Sequence, residues 1–447
     1  MSNLIVSVSG VRGIVGDGLT PDVAMRFAAA LGIHLGGGRV VLSRDSRPSG
    51  AMLRHAAIAG LTATGCNVLD IGIAPTPTVG VVVREFAAAG GLQITASHNP
   101  APWNGLKLFG SDGAVLTAAE GERIKAIYDA GKLRFAGWDG IGRASDDRDA
   151  SRRHLDRVLA LTDVSRVRAR NASVLLDANG GAGGPLGVAL LESLGCAVTP
   201  LACEPDGHFR HEAEPVPAHL TTVEAEVRKK PGTFGAVLDP DADRLALIDE
   251  RGRCLSEELT LALAVQYRLM HERGPVVVNM SSSRVTADLA ERAGASFFRS
   301  AVGEANVVAK MREVGALVGG EGNGGVIDPR VGWVRDPFIG LALILSLMAE
   351  TGRTLSELAD ALPQYHIRKD KSPVPRDRLA AALDALAKRW PEARSDRIDG
   401  LRLDWPDRWL HVRGSNTEPV VRAIAEAPTA DDAAELCRQA GAILASA

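Results

Sequence analysis

Three aspartates alternate within residues 239–244 (DPDADR). In an extended segment, side chains at every second position project to the same side. Like charges that close repel one another unless a cation sits among them. Hard carboxylate oxygens of this kind suit Mg2+, usually completed by water or phosphate oxygens. A calcium EF-hand loop is excluded, although Glu250 falls at its twelfth position: the sixth position is Arg244 where glycine is needed, and both flanks read as strands. A solvated acidic turn is the plainer alternative.

Three further loops carry reactive or ligand-binding types. Residues 95–100 (TASHNP) follow the strand-like run 91–94 and offer Ser97, with His98 beside it and Lys107 ten residues on. A serine there is a nucleophile only where something nearby stabilises charge; Ser, His and Asn also make ordinary caps and turns. The chain has nine lysines against 42 arginines, so a lysine close to this loop is informative. Residues 319–325 (GGEGNGG) leave Glu321 and Asn323 projecting from five glycines, a pair able to accept from and donate to sugar hydroxyls, or else a flexible surface turn. The Gly-Lys-Ser/Thr of a P-loop is missing. Residues 413–422 (RGSNTEPVVR) gather Arg413, Ser415, Asn416, Thr417 and Arg422. The planar arginine fork matches a phosphate dianion, and turn amides add donors; two exposed arginines on a polar turn are the alternative.

The elements around these loops repeat strand, small-residue loop, helix. Runs 39–43 (RVVLS), 172–176 (ASVLL) and 275–279 (PVVVN) each lead through such a loop into an apolar helical stretch, the pattern of a βα unit on a parallel sheet. The similarity among the three is topological, without a letter-by-letter repeat. A polar Gly/Asp-rich stretch at 136–151, a break near 250–256 and prolines at 363, 373 and 375 divide the chain. The spans expected are 1–145, 146–250, 251–362 and 363–447. The last reads differently, with an Ala-rich helix over 379–390, strands, and a helix over 430–445.

Composition is consistent with this. At 447 residues the chain is long enough for several domains of ~150 residues. A net charge of −3 argues against a broad nucleic-acid surface or a polybasic membrane patch. The longest apolar stretch, 338–348, is too short to span a bilayer, and the N-terminus shows no signal pattern. Five cysteines without a C-x-x-C pair read as buried free thiols in a reducing cytoplasm.

Taken in order, TASHNP, DPDADR, GGEGNGG and RGSNTEP closely resemble the α-D-phosphohexomutase family over essentially the whole chain. Residues 9–13 (SGVRG), 42–49 (LSRDSRPS) and 399–402 (DGLR) add to the likeness. The resemblance implies three related α/β domains with mixed sheets and a smaller α+β C-terminal domain around a central cleft. It implies that Ser97 carries a phosphoryl group, bridged by Mg2+ to Asp239, Asp241 and Asp243, and passes it to a hexose phosphate through a 1,6-bisphosphate that turns around in the cleft. Arg12, Lys107 and Arg244 would line the transfer site, with Lys107 and His98 as candidates for proton handling. Glu321 and Asn323 would grip the sugar, and the loop from Arg413 to Arg422 the other phosphate. A small-molecule sugar phosphate is the implied partner, with a hexose 1,6-bisphosphate as activator and the chain working as a monomer or homodimer.

Two departures stand out. Several family members have Ser and His where this chain has Asn323 and Gly325, so a histidine sometimes credited with proton transfer is absent. Glycine often follows the aspartate that here precedes Pro337, in the run Arg335, Asp336, Pro337. The GEGNGG form, with Trp103 and Asn104 after the serine loop, looks like the archaeal-type phosphoglucosamine mutases. The expected reaction is therefore interconversion of glucosamine 6-phosphate and glucosamine 1-phosphate. Alternatives are the same chemistry on glucose or mannose phosphates, a phosphatase, and a non-catalytic sugar-phosphate sensor.

Overall fold

The computed structural model describes residues 4–7, 10–375, 377–414 and 420–446. Its strands form four sheets, and three of them share one plan. In the second sheet the order is Ala197–Leu201, Ser173–Asp177, Thr233–Leu238, Leu245–Ile248; the first three strands run parallel and the fourth turns back antiparallel. The third sheet repeats this with Phe297–Ser300, Val276–Asn279, Val318–Glu321 and Gly325–Ile327. The eight-stranded first sheet has the same centre: Cys66–Ile73, Gly38–Arg44 and Gly90–Ile94 are parallel and Trp103–Gly110 is antiparallel. Ala144–Asp146 extends it at one edge, and Leu4–Ser7 and Gly10–Val15, with Gly18–Leu19 beside them, extend it at the other.

The central strands are uninterrupted apolar runs because helices cover both faces. Thr233–Leu238, Leu245–Ile248 and Val276–Asn279 are buried at every position. The helices expected after the three opening strands are present as Gly50–Ala63, Gly184–Ser193 and Val285–Arg292. The fourth sheet is wholly antiparallel, in the order His366–Ser372, Val421–Ala427, Trp409–Gly414, Leu401–Asp404, Arg394–Asp396, with helices Leu379–Arg389 and Ala430–Ser446 accompanying it.

The shared plan has one consequence for chemistry. In each of the three related sheets the turn between the third, parallel strand and the fourth, antiparallel one carries a candidate loop. TASHNP lies between Gly90–Ile94 and Trp103–Gly110, DPDADR between Thr233–Leu238 and Leu245–Ile248, and the glycine loop between Val318–Glu321 and Gly325–Ile327.

The apolar run at 338–348 belongs to helix Pro337–Thr351, buried nearly throughout, inside one apolar cluster that reaches from Leu155 and Val174 to Leu343 and Leu358. Its start explains the second sequence departure. Asp336 caps the helix, accepting from the N–H groups of Phe338 (2.9 Å) and Ile339 (3.3 Å), and Pro337 occupies the first turn, where no donor is lost. The same carboxylate lies 2.8 Å from Nε2 of His154, whose Nδ1 lies 2.9 Å from the Thr78 hydroxyl. His154 and Thr78 are wholly buried, and the chain ties helices Thr76–Glu85, Ala150–Leu159 and Pro337–Thr351 together. Among the described residues no helix is long and apolar enough to cross a membrane. All five cysteines are free; Cys66 and Cys437 are buried, whereas Cys196, Cys203 and Cys254 are only half-buried.

His154→Ala removes the partner of Asp336 Oδ2 and of the Thr78 hydroxyl, both buried, a loss of about 2–3 kcal/mol. Its apparent thermal midpoint should fall by several degrees, while Arg152→Ala on the exposed side of the same helix should leave the midpoint within error.

Candidate active site

Ser97 sits where a buried strand ends, and its backbone is strained. Its φ of 51° lies in the left-handed region, one of six such non-glycine positions among the described residues. A buried network over-determines that conformation. The Ser97 N–H donates to Thr95 Oγ1 (2.8 Å), the Thr95 hydroxyl donates to Asp45 Oδ2 (2.7 Å), and Arg47 donates to the carbonyls of Ser97 (2.8 Å) and Asn99 (2.5 Å). Asp45 and Arg47 form an ion pair with no solvent exposure, and the Arg47 guanidinium lies 5.1 Å from the ring centre of Phe209. The run LSRDSRPS thus supplies the brace under the serine.

The aspartate loop corrects the expectation of an extended segment. It is a turn: Ala242 has φ 50° and its N–H donates to the Asp239 carbonyl (2.9 Å), while Asp239 Oδ1 accepts from the N–H groups of Asp243 and Arg244 (3.0 Å each). Folding back in this way, rather than alternation along a strand, gathers the three carboxylates. One oxygen from each of Asp239, Asp241 and Asp243 lies within 4.8 Å of the others, and all three residues are fully buried.

Each carboxylate has a different neighbour. Ser97 Oγ lies 3.3 Å from Asp239 Oδ2; the Thr76 hydroxyl donates to Asp241 Oδ2 (2.7 Å); Lys107 Nζ (2.7 Å) and Arg335 Nη2 (2.6 Å) both meet Asp243 Oδ2. Burial, reinforced by Asp241 and Asp243, pushes the Asp239 carboxyl well above its usual range. Burial alone would raise Asp243 too, but Arg335, Lys107 and Arg244 outweigh it and hold that carboxyl low. Asp241 Oδ1 and Asp243 Oδ1 are buried without a hydrogen-bond partner. Converging buried oxygens with unsatisfied lone pairs fit a hard dication such as Mg2+.

Three cations lie near the serine loop and the aspartate turn. Arg12 donates to Asn99 Oδ1 (3.3 Å), and Arg244 reaches Glu214 (3.4 Å). Lys107, opposite Gly10 in the strand register, is buried; burial would lower its pKa, but Asp243 and Glu304 more than offset this and keep it charged. His98 Nδ1 lies 3.2 Å from Ser97 Oγ, and its pKa is lowered to about 2 by burial and by Arg244 and Arg12, so the imidazole is neutral.

The glycine loop joins this group through a residue that sequence reasoning gave no role. Glu321 Oε1 accepts from Asn279 Nδ2 (2.8 Å) and from the Gly303 N–H (3.1 Å), and Oε2 accepts from Arg335 Nη1 (2.8 Å). Asn323 Oδ1 is buried and unpartnered. Gly325 stands where a Cβ would fall 2.3 Å from Arg335 Cδ, so the arginine side chain fills the space a larger residue would need.

Arg413 and Arg422 face each other in register on the C-terminal sheet, and Arg413 Nε pairs with the Asp399 carboxylate at 2.9 Å. Asp399 Oδ2 in turn accepts from the Val302 N–H (3.0 Å), which fastens this sheet beside the Glu321 loop. Ser415, Asn416 and Thr417 lie outside the described residues. Sequence reasoning missed Asp45, Arg47, Thr76, Glu304 and Arg335 as parts of the site. Only the run 42–49 and the Arg335 to Pro337 departure bear on them, because contacts between distant segments leave no local spacing to read.

Comparison with known proteins yields matches along nearly the whole chain. Four family models match in sequence: phosphoglucomutase/phosphomannomutase alpha/beta/alpha domain I at 4–135, domain II at 152–252, domain III at 257–365 and the C-terminal domain at 371–441. A protein of Methanopyrus kandleri named probable phosphoglucosamine mutase is 37% identical over 96% of this chain and 95% of its own length. A phosphoglucomutase/phosphomannomutase of Thermococcus kodakarensis is 36% identical over 95% of both. A solved phosphoglucomutase/phosphomannomutase family protein of Burkholderia thailandensis superposes with a TM-score of 0.86 at 27% identity, covering 98% of this chain and 97% of that one.

Metal ligands must be deprotonated, so a cation entering the aspartate turn competes with the proton that burial favours on Asp239. The raised carboxyl pKa sets the sign: Mg2+ affinity should rise with pH through the range where Asp239 ionises. Titration calorimetry in buffers of different ionisation enthalpy should record proton release, and Asp241→Asn should weaken binding at least tenfold.

Proposed function

The chain belongs to the phosphoglucomutase/phosphomannomutase family and is a mutase, an isomerase acting on phosphohexoses; from that premise we propose that Ser97 relays a phosphoryl group between O6 and O1 of a hexose phosphate, with glucosamine 6-phosphate and glucosamine 1-phosphate as the interconverted pair. The observation that carries this reading is the Ser97 hydroxyl, held in a strained turn 3.3 Å from a carboxylate of the buried aspartate cluster. Phosphoryl transfer asks for positioning and charge stabilisation more than for covalent help, and that is what these residues offer.

With Ser97 phosphorylated, the free hydroxyl of the sugar phosphate attacks phosphorus and the bond from phosphorus to Ser97 Oγ breaks. Arg12, Arg244 and Lys107 offset the charge of the group in transit. Of these three only Lys107 has a proton to give; it protonates the departing Ser97 oxygen and recovers a proton from the attacking hydroxyl. His98, neutral and hard to protonate in the unphosphorylated site, orients the serine instead. Bound among Asp239, Asp241 and Asp243, Mg2+ would neutralise phosphoryl oxygens and make phosphorus more electrophilic. The bisphosphate then turns around, and Ser97 takes back the phosphoryl group from the other end. Arg413 and Arg422, with Ser415, Asn416 and Thr417, hold the phosphate that is not reacting, while Glu321 grips hydroxyls common to both orientations.

The amino sugar is favoured by the buried, unpartnered Asn323 carbonyl oxygen, an acceptor suited to the ammonium at C2, and by the name of the Methanopyrus relative. The second reading, a phosphoglucomutase/phosphomannomutase, has the Thermococcus relative in its favour.

Ser97→Ala should keep Mg2+ and sugar-phosphate binding while losing essentially all mutase activity. With Mg2+ and bisphosphate present, kcat/KM for glucosamine 1-phosphate should exceed that for glucose 1-phosphate by tenfold or more; equal or reversed values would assign the second reading.

A further inference from the structure

Arg335 stands where the aspartate turn and the glycine loop meet. Its backbone is fixed from both sides: its own N–H donates to Glu304 Oε1 (2.7 Å), and the next N–H, of Asp336, donates to the Val326 carbonyl (2.7 Å) before Asp336 caps the following helix. From that anchor the buried guanidinium divides between two loops. Nη1 donates to Glu321 Oε2 (2.8 Å) and Nη2 to Asp243 Oδ2 (2.6 Å). Lys107 meets that same Oδ2, which leaves Asp243 Oδ1, buried without a hydrogen bond and 3.9 Å from Arg244 Nε, as the oxygen open to a metal. Glu321 has both oxygens engaged on the protein side, Oε1 by Asn279 and Gly303 and Oε2 by Arg335, so its remaining lone pairs have a defined direction. The route of the arginine side chain requires Gly325, since a Cβ there would lie 2.3 Å from Cδ and 2.8 Å from Cγ.

A planar fork can serve two carboxylates at once; a lysine ammonium is a point charge on a flexible stem and cannot hold the same geometry. A cation this close to Asp243 also opposes any dication that approaches the other oxygen. Resting on the reading of this site as a phosphohexose mutase centre, we propose that Arg335 is a positioning residue that couples the aspartate turn to the sugar grip, acting in opposite senses on the two ligands: it weakens Mg2+ binding at Asp243 and strengthens hexose binding by orienting Glu321. Ordinary structural pairing would make no such split, because loosening the interface would weaken both ligands together.

The test is calorimetric titration of the full-length protein with Mg2+ alone, then with glucosamine 6-phosphate and glucose 6-phosphate, alongside KM and kcat. Arg335→Met should bind Mg2+ several-fold more tightly and each hexose phosphate at least tenfold more weakly. Arg335→Lys, which keeps the charge and loses the fork, should bind Mg2+ much as wild type does and still bind the sugar weakly. In a Glu321→Gln background, Arg335→Met should cost little further sugar affinity. Gly325→Ala displaces the arginine without deleting it and should reproduce the sugar loss, which keeps the proposal open to test if Arg335→Met fails to fold. Parallel loss of both affinities in Arg335→Met, or unchanged sugar binding in both Arg335→Met and Gly325→Ala, would overturn it. If wild-type protein turns over no hexose phosphate, the mutase reading fails by itself, and unchanged or weaker Mg2+ binding in Arg335→Met would still overturn the coupling.

Discussion

Three carboxylates buried on one short turn are the constraint around which the site is organised. Burying a single unpaired charge costs several kcal/mol, and Asp239, Asp241 and Asp243 are all without solvent exposure. The surrounding groups answer this one at a time: Ser97 faces Asp239, Thr76 donates to Asp241, and Lys107 and Arg335 share Asp243. These partners come from separate segments, so docking the segments and compensating the charge are the same event. The arrangement stays incomplete, because two buried carboxylate oxygens keep unused lone pairs. That remaining demand suits a dication.

Topology explains why the parts converge. Three sheets share the order second strand, first, third, fourth, with only the fourth antiparallel, and each places its candidate loop at the turn after the third strand. A tight return there leaves little freedom, and the chain uses it: Ser97 and Ala242, with φ of 51° and 50°, are left-handed positions inside two of these turns. The strain is tolerated because buried hydrogen bonds over-determine both conformations.

The sequence made the sheets legible because a strand covered on both faces must be apolar throughout, as Val276–Asn279 is, and because small-residue loops lead into the helices. It also showed the candidate loops, since their residue types are unusual for plain turns. Its three repeated openings, however, were the first strands of each unit, while the loops with chemistry follow the third. The shape of the aspartate loop was misread, because alternation suggests an extended segment and nothing local announces the left-handed Ala242. The bracing of Ser97 by Asp45 and Arg47, the His154 to Asp336 tie, and Arg335 depend on contacts between residues far apart in the chain. They became visible only with the fold.

The central claim is that Ser97 carries the phosphoryl group between two positions of one sugar. It is tested most directly by incubating the protein with Mg2+ and a hexose 1,6-bisphosphate, locating the phosphate by peptide mass spectrometry, and then adding hexose 6-phosphate. The account predicts one phosphoryl group per chain, on Ser97, passed stoichiometrically to the added sugar. Phosphate on another residue, or its release to water with none reaching the sugar, would contradict it.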